Sequence, residues 1–254
     1  MSDEQPSVDL AHADIGFVAA LPMEMAPFLE RCDRVRKYVG GDFTFRGGRY
    51  DGVRIAVVEC GMGFPLARRA TQALIDAHTP DWVISAGFSG ALRPEMKVGD
   101  IVAANSIVDA HGQELKVDMK MPADPERGLY VGRILTSDHL VRTVEEKRQL
   151  AAAHDALAVD LESLAVAQIC RDTRTKFLAI RVISDDLSAD LPPEILSVVG
   201  STGTMRMGAA LGALWKRPSS VSDLWKLRET AHTAAERLAT FLDGVVIQLA
   251  EAKR

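Results

Sequence analysis

Cysteine is scarce in this chain. There are three, Cys32, Cys60 and Cys170, and no pair stands at the spacing of metal ligands. An odd number leaves one unpaired, and Cys60 and Cys170 lie in apolar runs. Buried free thiols in a reducing compartment are therefore expected. The six histidines are scattered without ligand spacing, which speaks against a metal centre. Positive charge is in deficit. A formal net charge of −5 is the wrong sign for a nucleic-acid or anionic-membrane surface. No apolar stretch approaches the roughly 18 residues of a membrane span. The opening Met1-Ser2-Asp3-Glu4-Gln5-Pro6 is acidic and polar rather than a signal peptide, so a cytoplasmic protein is expected. No linker or internal repeat divides the 254 residues, which suit one domain with a sizeable core.

What the chain has is a set of apolar runs that stop at acids. Ile15 to Leu21 is followed by Pro22-Met23-Glu24, and Phe177 to Ile183 by Ser184-Asp185-Asp186. Between them Ala158-Val159-Asp160-Leu161-Glu162-Ser163 again ends in carboxylates. Strands ending this way deliver charge to the carboxyl edge of a sheet, where the ligands of α/β enzymes bind. Three such edges suit a small polyhydroxylated molecule that needs acid chemistry. Residues 1–14 are polar and aperiodic and read as a disordered tail. Pro22 opens a helix to about Arg31, and Phe43–Tyr50 and Val53–Glu59 form a hairpin around Asp51-Gly52. A helix from Pro65 to His78, a strand from Trp82 to Ala86 and a strand from Val98 come next. Residues 110–129 read as a loop over the site. Gly132–Thr136 reads as a strand, Asp138–Ala152 as a helix capped by Ser137, and Ser163–Thr173 as a helix. Beyond Asp186 come helical segments at Leu191–Glu194 and Met205–Trp215. The last is long and amphipathic, Val221–Ala252, with Leu224, Leu227, Ala231, Ala235, Leu238, Phe241, Leu242 and Val245 on one stripe, for core or oligomer packing. The alternation predicts a single α/β domain, residues 15–254, with a central mixed sheet flanked by helices and a helical extension over 190–254.

Each signal has a plainer reading. Gly61-Met62-Gly63 follows a strand and precedes a helix, but the third glycine of a dinucleotide fingerprint would fall at Leu66, and no acid follows a second strand. The turn still offers backbone N–H groups to an anion or a hydroxyl. Glu24 sits where a carboxylate favours the helix dipole by ~0.3–1 kcal/mol. Asp185, Asp186 and Glu162 could simply cap the segments next in the chain after their strands.

In order along the chain, these segments resemble the nucleoside phosphorylase superfamily, most closely its branch with methylthioadenosine/S-adenosylhomocysteine nucleosidases. The resemblance is carried by Ile15 to Glu24, Gly61-Met62-Gly63, Ser85-Ala86-Gly87-Phe88-Ser89-Gly90-Ala91-Leu92, Lys97 to Val102, Val159 to Ser163 and Arg181 to Asp185. The stretch after Asp186 resembles a subgroup of hopanoid-associated phosphorylases. The resemblance implies cleavage of the N-glycosidic bond of a purine-type nucleoside without metal or organic cofactor, phosphate being a co-substrate if the enzyme is a phosphorylase. It implies Asp185, oriented by Ser184, as the acid that protonates the leaving purine, and Glu162 as the anchor of the ribose hydroxyls. Glu24 matches the glutamate that holds and deprotonates the attacking water in the nucleosidases. It also implies a homodimer or higher homo-oligomer.

Some positions depart from the family pattern. Leu161 stands where a methionine usually packs under the ribose. Phe88 replaces a serine after Gly87, with Ser89 one place late, and Leu140 replaces a purine-stacking phenylalanine. These changes suggest a pocket for an unusual or bulkier nucleoside. The arginine of bacterial phosphorylases two places before Gly87 is Ser85, and their Gly-Asp-Pro loop is replaced by Leu21-Pro22-Met23-Glu24. Both favour water as nucleophile, while Arg46, Arg68 and Arg93 remain candidates to hold phosphate. The rival from another class is a nucleoside-binding or sensor protein of the same fold without catalysis.

Overall fold

A computed structural model describes residues 11–193, 195 and 219–252, with the backbone alone over 219–227. The run Ile15–Ala19 forms β1, buried along its whole length. Ile15, Phe17 and Ala19 point into one core, and Val18 into another on the opposite face. That two-sided burial is why the run is continuously apolar instead of alternating. Helix α1 (Pro22–Glu30) covers the first face, and α2 (Phe64–His78) and α4 (Ser163–Thr173) cover the second. The last helix, α5 (Ser219–Glu251), lies along α1. Its Leu238, Leu242 and Val245 are buried in this chain's own core, and Arg31 of the loop after α1 pairs with Asp243 at 2.6 Å and Glu236 at 2.9 Å.

The described residues form one mixed sheet of ten strands. β1 lies parallel between β4 (Val53–Glu59) and β5 (Trp82–Ala91). β3 (Phe43–Tyr50) pairs antiparallel with β4 across the expected turn, where Asp51 and Gly52 have φ of 47° and 79°. Positive φ at both central residues is what a type I′ hairpin turn demands. β2 (Asp33–Gly40) extends the edge. On the other side β10 (Lys176–Asp185) pairs with β5 and with β6 (Ile101–Asp109). β6 pairs with β8 (Leu129–Thr136), β8 with β9 (Ala158–Asp160), and β9 returns to β5. Five strands thus close a ring. In the β10–β5 ladder Ile183 faces Ser89 and Asp185 faces Gly90, so Ser184 is an extra residue, a bulge.

Several expectations need correction. β2 was not expected. β5 continues through Gly87–Ala91 instead of ending at Ala86. The helix expected from Asp138 is α3, Val144–His154, and Thr143 caps it by accepting from Glu146 N. Residues 138–143 are held out of the helix, Val141 being buried and the Arg142 carbonyl accepting from Leu191 N. The segment 110–129 is not a plain loop: β7 (Glu114–Lys116) pairs with β6, and a 3₁₀ turn covers Pro125–Arg127. Residues 1–10 and the helix expected over Met205–Trp215 lie outside the described residues. Ala13 N and Asp14 N, inside the expected tail, bond to His78 O and Arg54 O. No helix among the described residues is long and apolar enough to cross a membrane.

Candidate active site

Strands β1, β5 and β10 run parallel, and their carboxyl ends open on one cavity of ≈ 150 Å³. Its acidic groups are Glu24, Asp160, Glu162 and Asp185, and its apolar wall includes Met62, Phe88, Leu140, Leu161 and Leu191. Thr230 of α5 reaches it as well, so the C-terminal helix borders the site.

The centre of the site is Arg181, mid-strand in β10 and 1% exposed. A guanidinium out of water needs charge and hydrogen bonds around it. Its Nη2 lies 2.7 Å from Asp160 Oδ2 and 3.7 Å from Glu162 Oε2, and it donates to Ser85 Oγ at 2.8 Å and Ser163 Oγ at 3.1 Å. Burial works against its charge, and Asp160, Glu162 and Glu24 together hold its pKa above the ordinary value. Gly87 is what lets Glu24 join this group. The point where a Cβ of Gly87 would stand lies 2.6 Å from both Arg181 Nη1 and Glu24 Oε1.

Glu24, in the first turn of α1, accepts from Leu21 N on Oε2 and from Phe88 N on Oε1, each at 2.8 Å. Burial raises its pKa, opposed by Arg181 and these backbone donors. Glu162 Oε1 accepts from Gly63 N at 2.8 Å. The Gly61-Met62-Gly63 turn thus offers its N–H to the protein's own carboxylate, with Gly63 at a φ of 102° that only glycine adopts freely. Burial raises Glu162 to about 7, Arg181 opposing and Asp160 adding to the rise. Asp160 is itself fixed by Thr136 Oγ1 at 2.8 Å and Ser163 N at 3.0 Å.

Across the cavity, Asp185 receives Ser184 Oγ on Oδ1 at 2.8 Å and Lys147 Nζ on Oδ2 at 2.5 Å. Of the residues singled out from sequence, Glu24, Glu162, Asp185, Leu161, Phe88, Ser89, Leu140 and Ser184 line the cavity, while Gly87 lies behind it against Glu24 and Arg181. The arginines considered for phosphate do not line it. Arg46 pairs with Glu59 at 2.5 Å, Arg68 with Gln168 at 3.1 Å, and Arg93 with Asp155. Residues 110–129 contribute nothing to the described lining either; β7 pairs with β6, and Val117, Met119 and Met121 pack in or against the main core. Arg181, Asp160 and Lys147 were missed. A charged residue inside the apolar run Phe177–Ile183 was the signal for Arg181, since such a charge requires buried acids nearby. Lys147 gave none, standing in the charged stretch Glu145-Glu146-Lys147-Arg148. The site's carboxylates are paired with side-chain cations, Asp160 and Glu162 with Arg181 and Asp185 with Lys147. Elsewhere among the described residues, His12, Asp14 and Asp81 bring ligand atoms within 4.8 Å of one another.

The sequence model of the phosphorylase superfamily matches residues 14–202. The 5′-methylthioadenosine/S-adenosylhomocysteine nucleosidase of Maridesulfovibrio salexigens is 27% identical over 201 residues, 69% of this chain and 87% of that one. The enzyme of the same name from Tolumonas auensis is 26% identical over 228 residues, 79% of this chain and 99% of that one. Among solved structures, the Colwellia psychrerythraea nucleosidase in complex with adenine superposes with a TM-score of 0.69 at 23% identity, covering 94% of this chain and 96% of that one. A Helicobacter pylori futalosine hydrolase has the same fold, with a TM-score of 0.65 at 21% identity over 91% of this chain and 97% of that one. A family match over most of the chain, with the glycine turn, the strand-end acids and the parallel core in place, means that this chain belongs to the phosphorylase superfamily.

Proposed function

We propose that this protein hydrolyses the N-glycosidic bond of a purine-type nucleoside. The observation that carries the reading is one cavity with Glu24 and Glu162 gathered on Arg181 at one side and Asp185 at the other. Breaking the bond makes the sugar oxocarbenium-like and drives an electron pair onto the purine. Asp185 supplies the proton that the leaving base needs at N7. Glu162 accepts ribose hydroxyls, with Leu161 beside it against the sugar. Glu24, its pKa raised by burial, holds a water for attack at C1′ and takes its proton. The names of the curated relatives support the same chemistry.

Water is favoured over phosphate on two observations. The N–H groups of Leu21 and Phe88, which could cradle an anion, are already used by the Glu24 carboxylate. Arg181 is engaged by acids, and Arg46, Arg68 and Arg93 have partners outside the cavity.

Chromatography of adenosine, inosine, methylthioadenosine and S-adenosylhomocysteine after incubation with the protein, with and without phosphate, tests this. Free base is expected from at least one of them, at the same rate in both buffers. Base released only with phosphate would make the protein a phosphorylase. A nucleoside that binds and stays intact would favour the sensor reading.

A further inference from the structure

Lys147 is a buried charge that the scheme above leaves unused. It has 0% exposure on α3, while its neighbours Glu145 and Arg148 face solvent. A lysine at an inward helical position carries a desolvation penalty that methionine, of similar volume, would not. Its Nζ donates to Asp185 Oδ2 at 2.5 Å, to Asp186 O at 3.0 Å and to Asp185 O at 3.3 Å. Three acceptors satisfy the three ammonium protons. Lys147 does not line the cavity, so anything it does for a substrate passes through Asp185.

The two oxygens of Asp185 are held differently. Oδ2 is fixed by the ammonium, and Gly90, where a Cβ would come 3.0 Å from Oδ2 and 3.2 Å from Lys147 Cε, leaves room for the pair. Oδ1 receives only the Ser184 hydroxyl, which has a second acceptor, Ser89 O, at 3.3 Å. A rotation of that hydroxyl frees Oδ1 and leaves Oδ2 untouched.

We propose that Lys147 is a positioning residue for leaving-group protonation, making Oδ1 of Asp185 the atom that carries the proton. This rests on the proposed function. As the C1′–N9 bond breaks, its electron pair passes to the purine, and N7 takes the proton from Oδ1. A water oxygen bonds to C1′ and its proton goes to Glu24. Asp185 is left as a carboxylate between the Lys147 ammonium and the Ser184 hydroxyl, so the charge created by the transfer is met by one already in place.

The plain alternative is that Lys147 only ties α3 to the end of β10. Two substrates separate the readings: the purine nucleoside, whose leaving group needs a proton, and 4-nitrophenyl β-D-ribofuranoside, whose leaving group departs as a stable anion. Lys147→Met is expected to slow base release from the purine nucleoside by ~10²-fold and nitrophenol release by less than about 3-fold. The double variant Lys147→Met/Asp185→Asn is expected to be no slower on the nucleoside than Asp185→Asn alone, since both changes remove one function. Should Lys147→Met fail to fold, Lys147→Gln, which keeps a donor without the charge, carries the same comparison. Equal losses on both substrates, or losses that multiply in the double variant, would overturn the inference and leave the proposed function standing. Wild-type protein that cleaves neither substrate would overturn both.

Discussion

Replacing Gly87 by alanine puts one methyl group into the contact between Glu24 and Arg181. The new Cβ would stand 2.6 Å from Glu24 Oε1, 2.6 Å from Arg181 Nη1 and 2.9 Å from Glu24 Cδ. Neither partner can swing away without breaking contacts. Glu24 is pinned by Leu21 N and Phe88 N, and Arg181 by Asp160, Ser85 and Ser163. Overpacking of a filled core costs about 1–3 kcal/mol. Loss of the charged hydrogen bond from Phe88 N adds about 1.5–3 kcal/mol. A total of about 2.5–6 kcal/mol corresponds to a fall of roughly 5–24 °C in melting temperature for a domain of this size. A displaced Glu24 would also cut turnover by ~10²-fold, as a shift near 1 Å does to a catalytic group. Differential scanning calorimetry with a base-release assay measures both. Gly47→Ala is the control, because its Cβ would meet nothing closer than Ile55 O at 3.9 Å, and its melting temperature should stay near wild type. A Gly87→Ala protein that melts within about 2 °C of wild type, a shift worth less than about 1 kcal/mol, with normal turnover would refute the account of this glycine.

Arg181→Met leaves Asp160, Glu162 and Glu24 buried without their cation and should destabilise by about 3–5 kcal/mol, read as a lower urea midpoint. That loss should shrink in acid, where the carboxyls can protonate. Burial holds Glu162 at about 7 in the folded chain, above its ordinary value of 4.5, so the native state binds the extra proton between those values. Its contribution to stability is therefore full below pH 4.5 and lost as pH rises through about 7. Melting curves of wild type and Glu162→Gln from acid to neutral pH should show wild type losing ground with rising pH, and a constant difference would contradict the assignment. Asp185→Asn should lower turnover of a purine nucleoside by ~10²–10⁴-fold and, because it leaves the buried Lys147 ammonium without its carboxylate, lower the melting temperature as well; full activity would remove Asp185 from its role.

The parts of the fold legible in the sequence were those where packing imposes a pattern. β1 could be read because both its faces are buried, and the Asp51-Gly52 hairpin because its turn needs two residues that tolerate positive φ. β2 was illegible for the opposite reason. Asp33, Arg34, Arg36 and Lys37 are exposed, and the strand is specified by its backbone pairing to β3 instead of by an apolar face. The glycines of β5 looked like a strand end, yet Gly87 and Gly90 are there to admit Arg181, Glu24, Asp185 and Lys147 at close range. In the site, acids at strand ends announced themselves by position. The cations that hold them did not: Arg181 lay inside an apolar run, and Lys147 lay unremarked within the helix expected over Asp138–Ala152. Counterions come from distant elements, and only tertiary contact brings them in.

The extra residue in β10 has a consequence for how this site tolerates changes in length. In an unbroken ladder, Ser184 would stand opposite Gly90 and Asp185 opposite the next residue, Ala91. Because Ser184 is spare, Asp185 is drawn back to Gly90, a place on β5 with no side chain to obstruct it. The acid's address is thus kept by a miscount, one strand using four residues where its neighbour uses three. Shortening β10 by one residue at Ser184 would mend the ladder and leave Asp185 opposite Gly90, but without the hydroxyl that Oδ1 depends on. Inserting one residue anywhere between Arg181 and Asp185 would keep every functional side chain and still dissolve the constellation.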